Sequence, residues 1–196
     1  MSLNDPSRFQ LFIHDLFFHS LLRPWYRRYA ESFDLRGDEK ALDFGSGSGA
    51  LSKFMARRLL EGGGLVTCLD TSEAWIERAR KRLRRFPNVE FIHGDITQLD
   101  IEEDSFDVAA IHFVLHDIES EARRSTLDCI SRVLRDDGRL FIREPTKGEH
   151  GMPPEEIRWL MNSVGLEEIK FDESKPLLMR PYYSGVFRKI PRQTAS

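Results

Sequence analysis

At 196 residues with 40% apolar side chains, the chain is long enough to bury one sizeable core and too short for two of ordinary size. Its formal net charge of −3 gives no global attraction to nucleic acid or to an anionic membrane. Cys68 and Cys129 lack metal-ligand or CxxC spacing and no secretory signal precedes them, so they read as reduced thiols of a cytoplasmic protein, with no metal site expected.

Phe9, Phe12, Ile13, Leu16, Phe17 and Leu21 recur every three or four residues, which predicts an amphipathic helix that Pro24 ends or kinks. The apolar run from Leu11 to Leu22 is broken by His14, Asp15 and His19, too short and too polar to span a bilayer. A second helical piece is predicted from Trp25 to Phe33. Together residues 1–36 are expected to form a helical cap on the same domain, which either only covers the sheet or serves also as a lid over the acceptor site. Their exposed aromatics would permit a homodimer.

From Lys40 to Phe44 the chain is apolar enough for a buried strand, which breaks at Gly45-Ser46-Gly47-Ser48-Gly49 before a helix predicted over Ala50–Leu60. Glycine there permits backbone angles that other residues avoid and lets a ligand approach the main chain. The amides opening the next helix suit a ligand with polar or anionic groups. Gly45-x-Gly47-x-x-Ala50 also fits the dinucleotide fingerprint, so the turn alone leaves two cofactors open.

Gly62-Gly63-Gly64 ends the helix and Leu65–Leu69 forms a second strand closing on Asp70, placed either to accept ribose hydroxyls or to cap the next helix with Thr71 and Ser72. That helix carries Arg78, Arg80, Lys81, Arg82, Arg84 and Arg85. No aromatics interleave with them and they fill nearly every position, so they read as a solvated outer face. After Pro87 come a third strand, Val89–His93, and Gly94-Asp95-Ile96. Val108–Ile111 is a fourth strand, followed by His112 and by Leu115-His116-Asp117-Ile118. A helix over Ile118–Arg135 turns through Asp136-Asp137-Gly138 into a fifth strand, Arg139–Arg143, with Glu144 and Pro145 at its end. Pro153-Pro154 starts a last helix through about Val164. Leu166–Phe171 and Ser184–Lys189 then read as two strands, and the tail after Pro191 as disordered.

Asp43-x-Gly45-x-Gly47-x-Gly49 resembles the first motif of the class I S-adenosylmethionine-dependent methyltransferases. Three further sites from Lys40 to Lys189 carry the same resemblance: Asp95 with its apolar follower Ile96, the pattern FDxxxxxxxLHDI from Phe106 to Ile118, and the LRDDGRL stretch leading to a C-terminal antiparallel hairpin. The resemblance implies an α/β fold, a doubly wound, mostly parallel seven-stranded sheet ending in that hairpin, over residues 37–190. It implies that Asp43 and His112 lie near the methionine part of the cofactor, with Gly45, Ser46 and Gly47 forming the turn. Asp70 would meet the ribose, and Thr71, Asp95 and Ile96 the adenine. His116 and Glu144 are the candidate general bases, with His116 alternatively a structural histidine that braces the turn through a nearby carbonyl, and His14, His19 and Tyr26 are candidate lid contributors. The implied reaction moves a methyl group from S-adenosylmethionine to a small-molecule acceptor, leaving S-adenosylhomocysteine. No Asp/Asn-Pro-Pro-Tyr/Phe segment and no Pro-Cys pair is present, so a nucleic-acid acceptor is not expected. A non-catalytic cofactor-binding scaffold and an NAD-dependent oxidoreductase are the alternatives.

Overall fold

The computed structural model describes residues 22–146, 151–175 and 181–191. Seven strands form a mixed sheet in the order β3-β2-β1-β4-β5-β7-β6, where β1 is Lys40–Phe44, β2 Leu65–Asp70, β3 Val89–His93, β4 Phe106–His112, β5 Leu134–Pro145, β6 Leu166–Ser174 and β7 Tyr182–Lys189. The chain divides into two compact units between Asp95 and Ile96.

In the first unit β1 and β3 each pair in parallel with β2. Helix α1 (Arg23–Glu31) opens with Pro24 in its first turn, where the missing amide costs nothing. Proline therefore stands at the start of this helix. The helix predicted over Phe9–Leu21, with His14 and His19, lies outside the described residues. Helix α2 spans Ser52–Leu59, two residues later than expected, because the glycine turn continues through Leu51; it buries Ser52, Met55, Ala56 and Leu59. Helix α3 (Glu73–Leu83) is capped by Ser72, whose hydroxyl accepts from the Trp75 amide at 3.4 Å, and buries Ile76, Ala79 and Leu83 on one face. Its arginines lie mainly away from that face, as the sequence suggests.

The approach to β1 is fixed by close backbone packing. Glu39, 3% exposed, accepts the Arg36 and Gly37 amides at 2.8 Å each. Burial opposes its charge, but these bonds outweigh that and hold its pKa below the ordinary value. The Gly64 amide donates to Gly37 O at 2.9 Å, and a Cβ on Gly64 would stand 2.6 Å from Glu39 O and 2.7 Å from Gly37 O.

In the second unit β4 and β5 are parallel, while β7 runs antiparallel to both β5 and β6. Helix α4 is Ser120–Val133 and α5 is Pro154–Ser163. The expected turn at Asp136-Asp137-Gly138 is instead an irregularity inside β5: Leu134 already pairs with Phe106, and pairing resumes at Val108 with Arg139. Asp137 takes a φ of 62° to accommodate the extra residues. Lys189, only 3% exposed, donates to Asp104 Oδ1 at 2.6 Å and to the carbonyl of Leu134. This ties the end of β7 to the segments that open β4 and β5.

Two stability predictions arise. Gly64→Ala lowers unfolding free energy by about 2 kcal/mol in urea titration, because backbone oxygens leave its methyl no space. Asp104→Asn costs about 2 kcal/mol by stranding the Lys189 ammonium, whereas Lys189→Met costs less than half of that, since it removes the buried charge together with the need for a partner.

Candidate active site

The first unit gathers Asp43, Gly45, Ser46, Gly47 and Asp70 at the carboxyl ends of β1 and β2. Gly45 and Ser46 both donate their amides to Leu69 O, at 2.8 and 3.0 Å, so the turn folds over the end of β2. Gly45, Gly47 and Gly49 have φ values of 67°, 52° and 76°, angles that a side chain resists. A Cβ on Gly49 would strike Leu83 of α3 at 2.8 Å, so this glycine serves packing. A Cβ on Gly47 would meet nothing within 4 Å, so its outer face is open.

Asp70 does more than the sequence suggests. One carboxylate oxygen accepts the Gly47 amide at 2.8 Å and the other the Ser72 amide at 2.9 Å. It thus braces the glycine turn and the start of α3 together, with each oxygen keeping capacity for a further donor. Burial raises its pKa, against those two bonds. Asp43 is 2% exposed and is bonded by the Ser52 hydroxyl. Burial, with Asp70 nearby, pushes its pKa up to about 7, the Ser52 bonds only partly offsetting it. Cys68, buried beside Asp43, is pushed up to about 12 by burial and that charge, and is an inert thiol. The buried Ser46 hydroxyl has no oxygen or nitrogen partner and lies near this weakly bonding thiol. Thr71 is exposed, and its carbonyl accepts from His93 Nε2 at 3.1 Å. Asp95 is exposed.

An open glycine face and a carboxylate with spare acceptors fit a nucleoside bearing hydroxyls. Among the described residues no cluster of histidine, cysteine or carboxylate side chains has the arrangement to hold a metal ion.

In the second unit Ile96 is 2% exposed. His112 ends β4 opposite Arg143 on β5. Burial and then the Arg143 charge hold its pKa down to about 3, so it is a neutral imidazole. Phe113 follows with a φ of 58°, a left-handed backbone that costs about 1–2 kcal/mol for a side chain of this size. Its amide donates to Arg143 O at 2.8 Å, and its ring meets His112 and Tyr182 edge to face, with centroids 4.6 and 5.9 Å away. This reversal throws the chain into a 3₁₀ turn, Leu115–Asp117.

Glu144 receives that turn. Wholly buried, its carboxylate accepts the amides of Val114 (3.0 Å), Leu115 (2.7 Å) and His116 (3.4 Å), and His116 Nδ1 donates to it at 2.6 Å. Every strong acceptor direction is spent. As a base of its own Glu144 does not fit this geometry; it holds His116. The imidazole is 13% exposed, with Nε2 3.3 Å from Asp117. Burial disfavours charge on it, but the Glu144 bond and charge, with Asp117, outweigh burial and raise its pKa. The turn is clamped further by Arg123, which donates to Ile118 O at 3.0 Å and His116 O at 3.4 Å and pairs with Glu156 at 2.5 Å.

Ser52, Arg123 and Glu156 escaped the sequence reading. Each acts through a neighbour brought by folding, and only the position of Ser52, nine residues past Asp43 at a helix start, carried a signal.

A methyltransferase-domain family profile matches residues 41–138. Demethylmenaquinone methyltransferase of Clavibacter sepedonicus is 38% identical over 106 residues, 54% of this chain and 41% of that protein. The chain spans between 32% and 54% of the length of the first three curated relatives it matches. Among solved structures, the TehB-like SAM-dependent methyltransferase of Corynebacterium glutamicum superposes with a TM-score of 0.68 at 26% identity, over 84% of this chain and 86% of that one. The cyclase SpnF superposes with a TM-score of 0.73 at 16% identity, over 86% and 81%, a likeness of fold alone. The family match favours the methyltransferase reading of the glycine turn over the dinucleotide one, and S-adenosylmethionine is the cofactor of the family. With half of its length matched by the profile, this chain belongs to the methyltransferase-domain family, the class I S-adenosylmethionine-dependent methyltransferases.

Proposed function

We propose that this protein transfers a methyl group from S-adenosylmethionine to a small-molecule acceptor, with His116 taking a proton from the acceptor and Glu144 positioning His116. The His116–Glu144 pair carries this reading. A wholly buried carboxylate held by three amides fixes Nδ1 as the donor and leaves Nε2 as the nitrogen that exchanges a proton. The cofactor supplies a methyl carbon made electrophilic by its sulfonium. The chain's own part is to bind, align and exclude water, an effect worth up to about 7–11 kcal/mol in favourable cases.

On this reading Gly45, Ser46 and Gly47 cradle the cofactor, Asp70 accepts its ribose hydroxyls and Thr71, Asp95 and Ile96 face its adenine. Asp43 and the neutral His112 lie toward its methionine part. The positive sulfonium favours the ionised form of Asp43. Residues 37–190 form the catalytic domain and residues 1–36 a cap. The protein acts in the cytoplasm on a free metabolite rather than nucleic acid, and the aromatics of its first predicted helix, Phe9, Phe12 and Phe17, would permit a homodimer. Among the described residues no helix is long and apolar enough to cross a membrane. The Phe-rich N-terminus and the name of the demethylmenaquinone methyltransferase relative make a partly apolar acceptor the first class to screen.

Calorimetric titration of the full chain tests the cofactor first. S-adenosylmethionine and S-adenosylhomocysteine bind saturably and NAD does not; the reverse result overturns the assignment. With a cognate acceptor, His116→Ala lowers kcat by about 10²–10⁴-fold while S-adenosylmethionine affinity stays within about twofold. Unchanged kcat removes His116 from the chemistry. Because His116 must be neutral to take a proton and its pKa is raised, kcat climbs with pH along a limb lying above the ordinary histidine value of about 6.5. Glu144→Gln removes the charge that raises it and moves the limb to lower pH.

Asp43 gives a prediction in the free protein. Its folded pKa of about 7 exceeds its unfolded value, so the folded state holds the proton longer. Stability therefore falls as pH rises from about 4 to about 7 and levels off above. Thermal melts of Asp43→Asn show less of this fall than the parent, by a few kcal/mol at most.

A further inference from the structure

Along the outer side of the first unit, α1 and α2 enclose a half-open cavity of about 820 Å³, lined by Arg23, Arg27 and Arg28 from α1 and by Phe54, Arg57 and Arg58 from α2. All five arginines are exposed and Phe54 is half-buried. Three acids, Glu31, Asp34 and Glu61, share the lining, and Glu31 is committed to Arg27 at 2.8 Å. Among the described residues Arg23, Arg28, Arg57 and Arg58 have neither an ion pair nor a side-chain hydrogen bond. Elsewhere Arg80, Arg132, Arg135, Arg158 and Arg188 each pair with an acid, while Arg84, Arg85 and Arg124 do not among the described residues but lie outside this cavity's lining.

The concentration of positive charge is felt by a neighbour. Lys53, one turn before Arg57 on α2, has its pKa lowered by burial first and then by the charges of Arg23, Arg82 and Arg57. Two helices thus turn cations toward one concave space, and the chain supplies too few acids there to neutralise them. Neither the glycine turn nor the His116–Glu144 pair uses any of these residues.

We infer that this groove is a second binding site, for a small ligand carrying two or more phosphate groups. Guanidinium forks match phosphate oxygens in pairs, and arginines on two helices give one compact multivalent anion several forks at once. Phe54 and Pro24 offer an apolar wall for the body that bears the phosphates. The volume is that of a small-molecule site. Size is limited also by charge: the protein as a whole carries −3, which opposes a long polyanion, whereas a small ligand inside the groove feels mainly charges within a Debye length of about 8–10 Å.

The test is titration of the full chain with inorganic tripolyphosphate at about 50 mM and about 200 mM salt, beside a double variant carrying Arg23→Gln and Arg57→Gln. Saturable binding that weakens with salt, and that the double variant weakens at least about tenfold with its melting temperature kept, supports the site. An absence of saturable binding, or equal binding by parent and variant, overturns it. Vesicles of phosphatidylglycerol separate the two sources of phosphate. Capture of the protein by vesicles without saturable binding of tripolyphosphate overturns the proposal in favour of a membrane surface.

Discussion

A carboxylate buried at the end of a β-strand must be given hydrogen-bond donors or it takes back its proton. Three acids of this protein meet that constraint in three ways. Glu144 receives three amides and an imidazole, Asp70 receives one amide on each oxygen, and Asp43 has the Ser52 hydroxyl as its side-chain partner. Their surroundings follow from this allotment. Glu144 organises a whole turn around itself, Asp70 keeps room for a ligand's hydroxyls, and Asp43 sits near the balance between acid and anion at neutral pH. In each unit the strand ends thus carry buried acids with different degrees of satisfaction.

The strained backbone at Phe113 belongs to the same logic. For three successive amides to converge on Glu144, the chain must reverse immediately after β4, and Phe113 takes up the reversal with a left-handed φ of 58°. The Arg143 carbonyl, the His112 ring and the Tyr182 ring hold it there. Arg123 and Glu156 fasten the far side of the turn. His116 is thereby located by backbone geometry as much as by its own side chain.

The strands of the first unit were legible because apolar runs such as Ala41-Leu42 and Val66 to Leu69 are bounded by glycine and acid. The glycine turn was legible because its spacing is unusual. Less visible was any role filled through the main chain. Nothing in the sequence marks the Val114 and Leu115 amides as ligands of Glu144, so the acid read as a candidate base and its true neighbours appeared only with the fold. Leu134 looked like the end of a helix because its apolar character continues the helical stripe, yet its backbone already pairs with Phe106. Pro24 was ambiguous for a physical reason, since proline both interrupts a helix and suits the first turn of one. Arg23 and Arg57, thirty-four residues apart in sequence, gave no hint that they face one cavity.

The position of β7 between β5 and β6 has a consequence for biosynthesis. The strand that follows β6 in the chain lies between β5 and β6, so β6 leaves the ribosome before the neighbour it will pair with exists. Its exposed hydrogen-bonding groups wait until Tyr182–Lys189 emerges and inserts, and Lys189 then finds Asp104 and Leu134. Pairings this distant in sequence are slow to form, and an unpaired strand is prone to aggregate. Pairing of this half therefore waits for β7, and the lysine that ends this strand closes it.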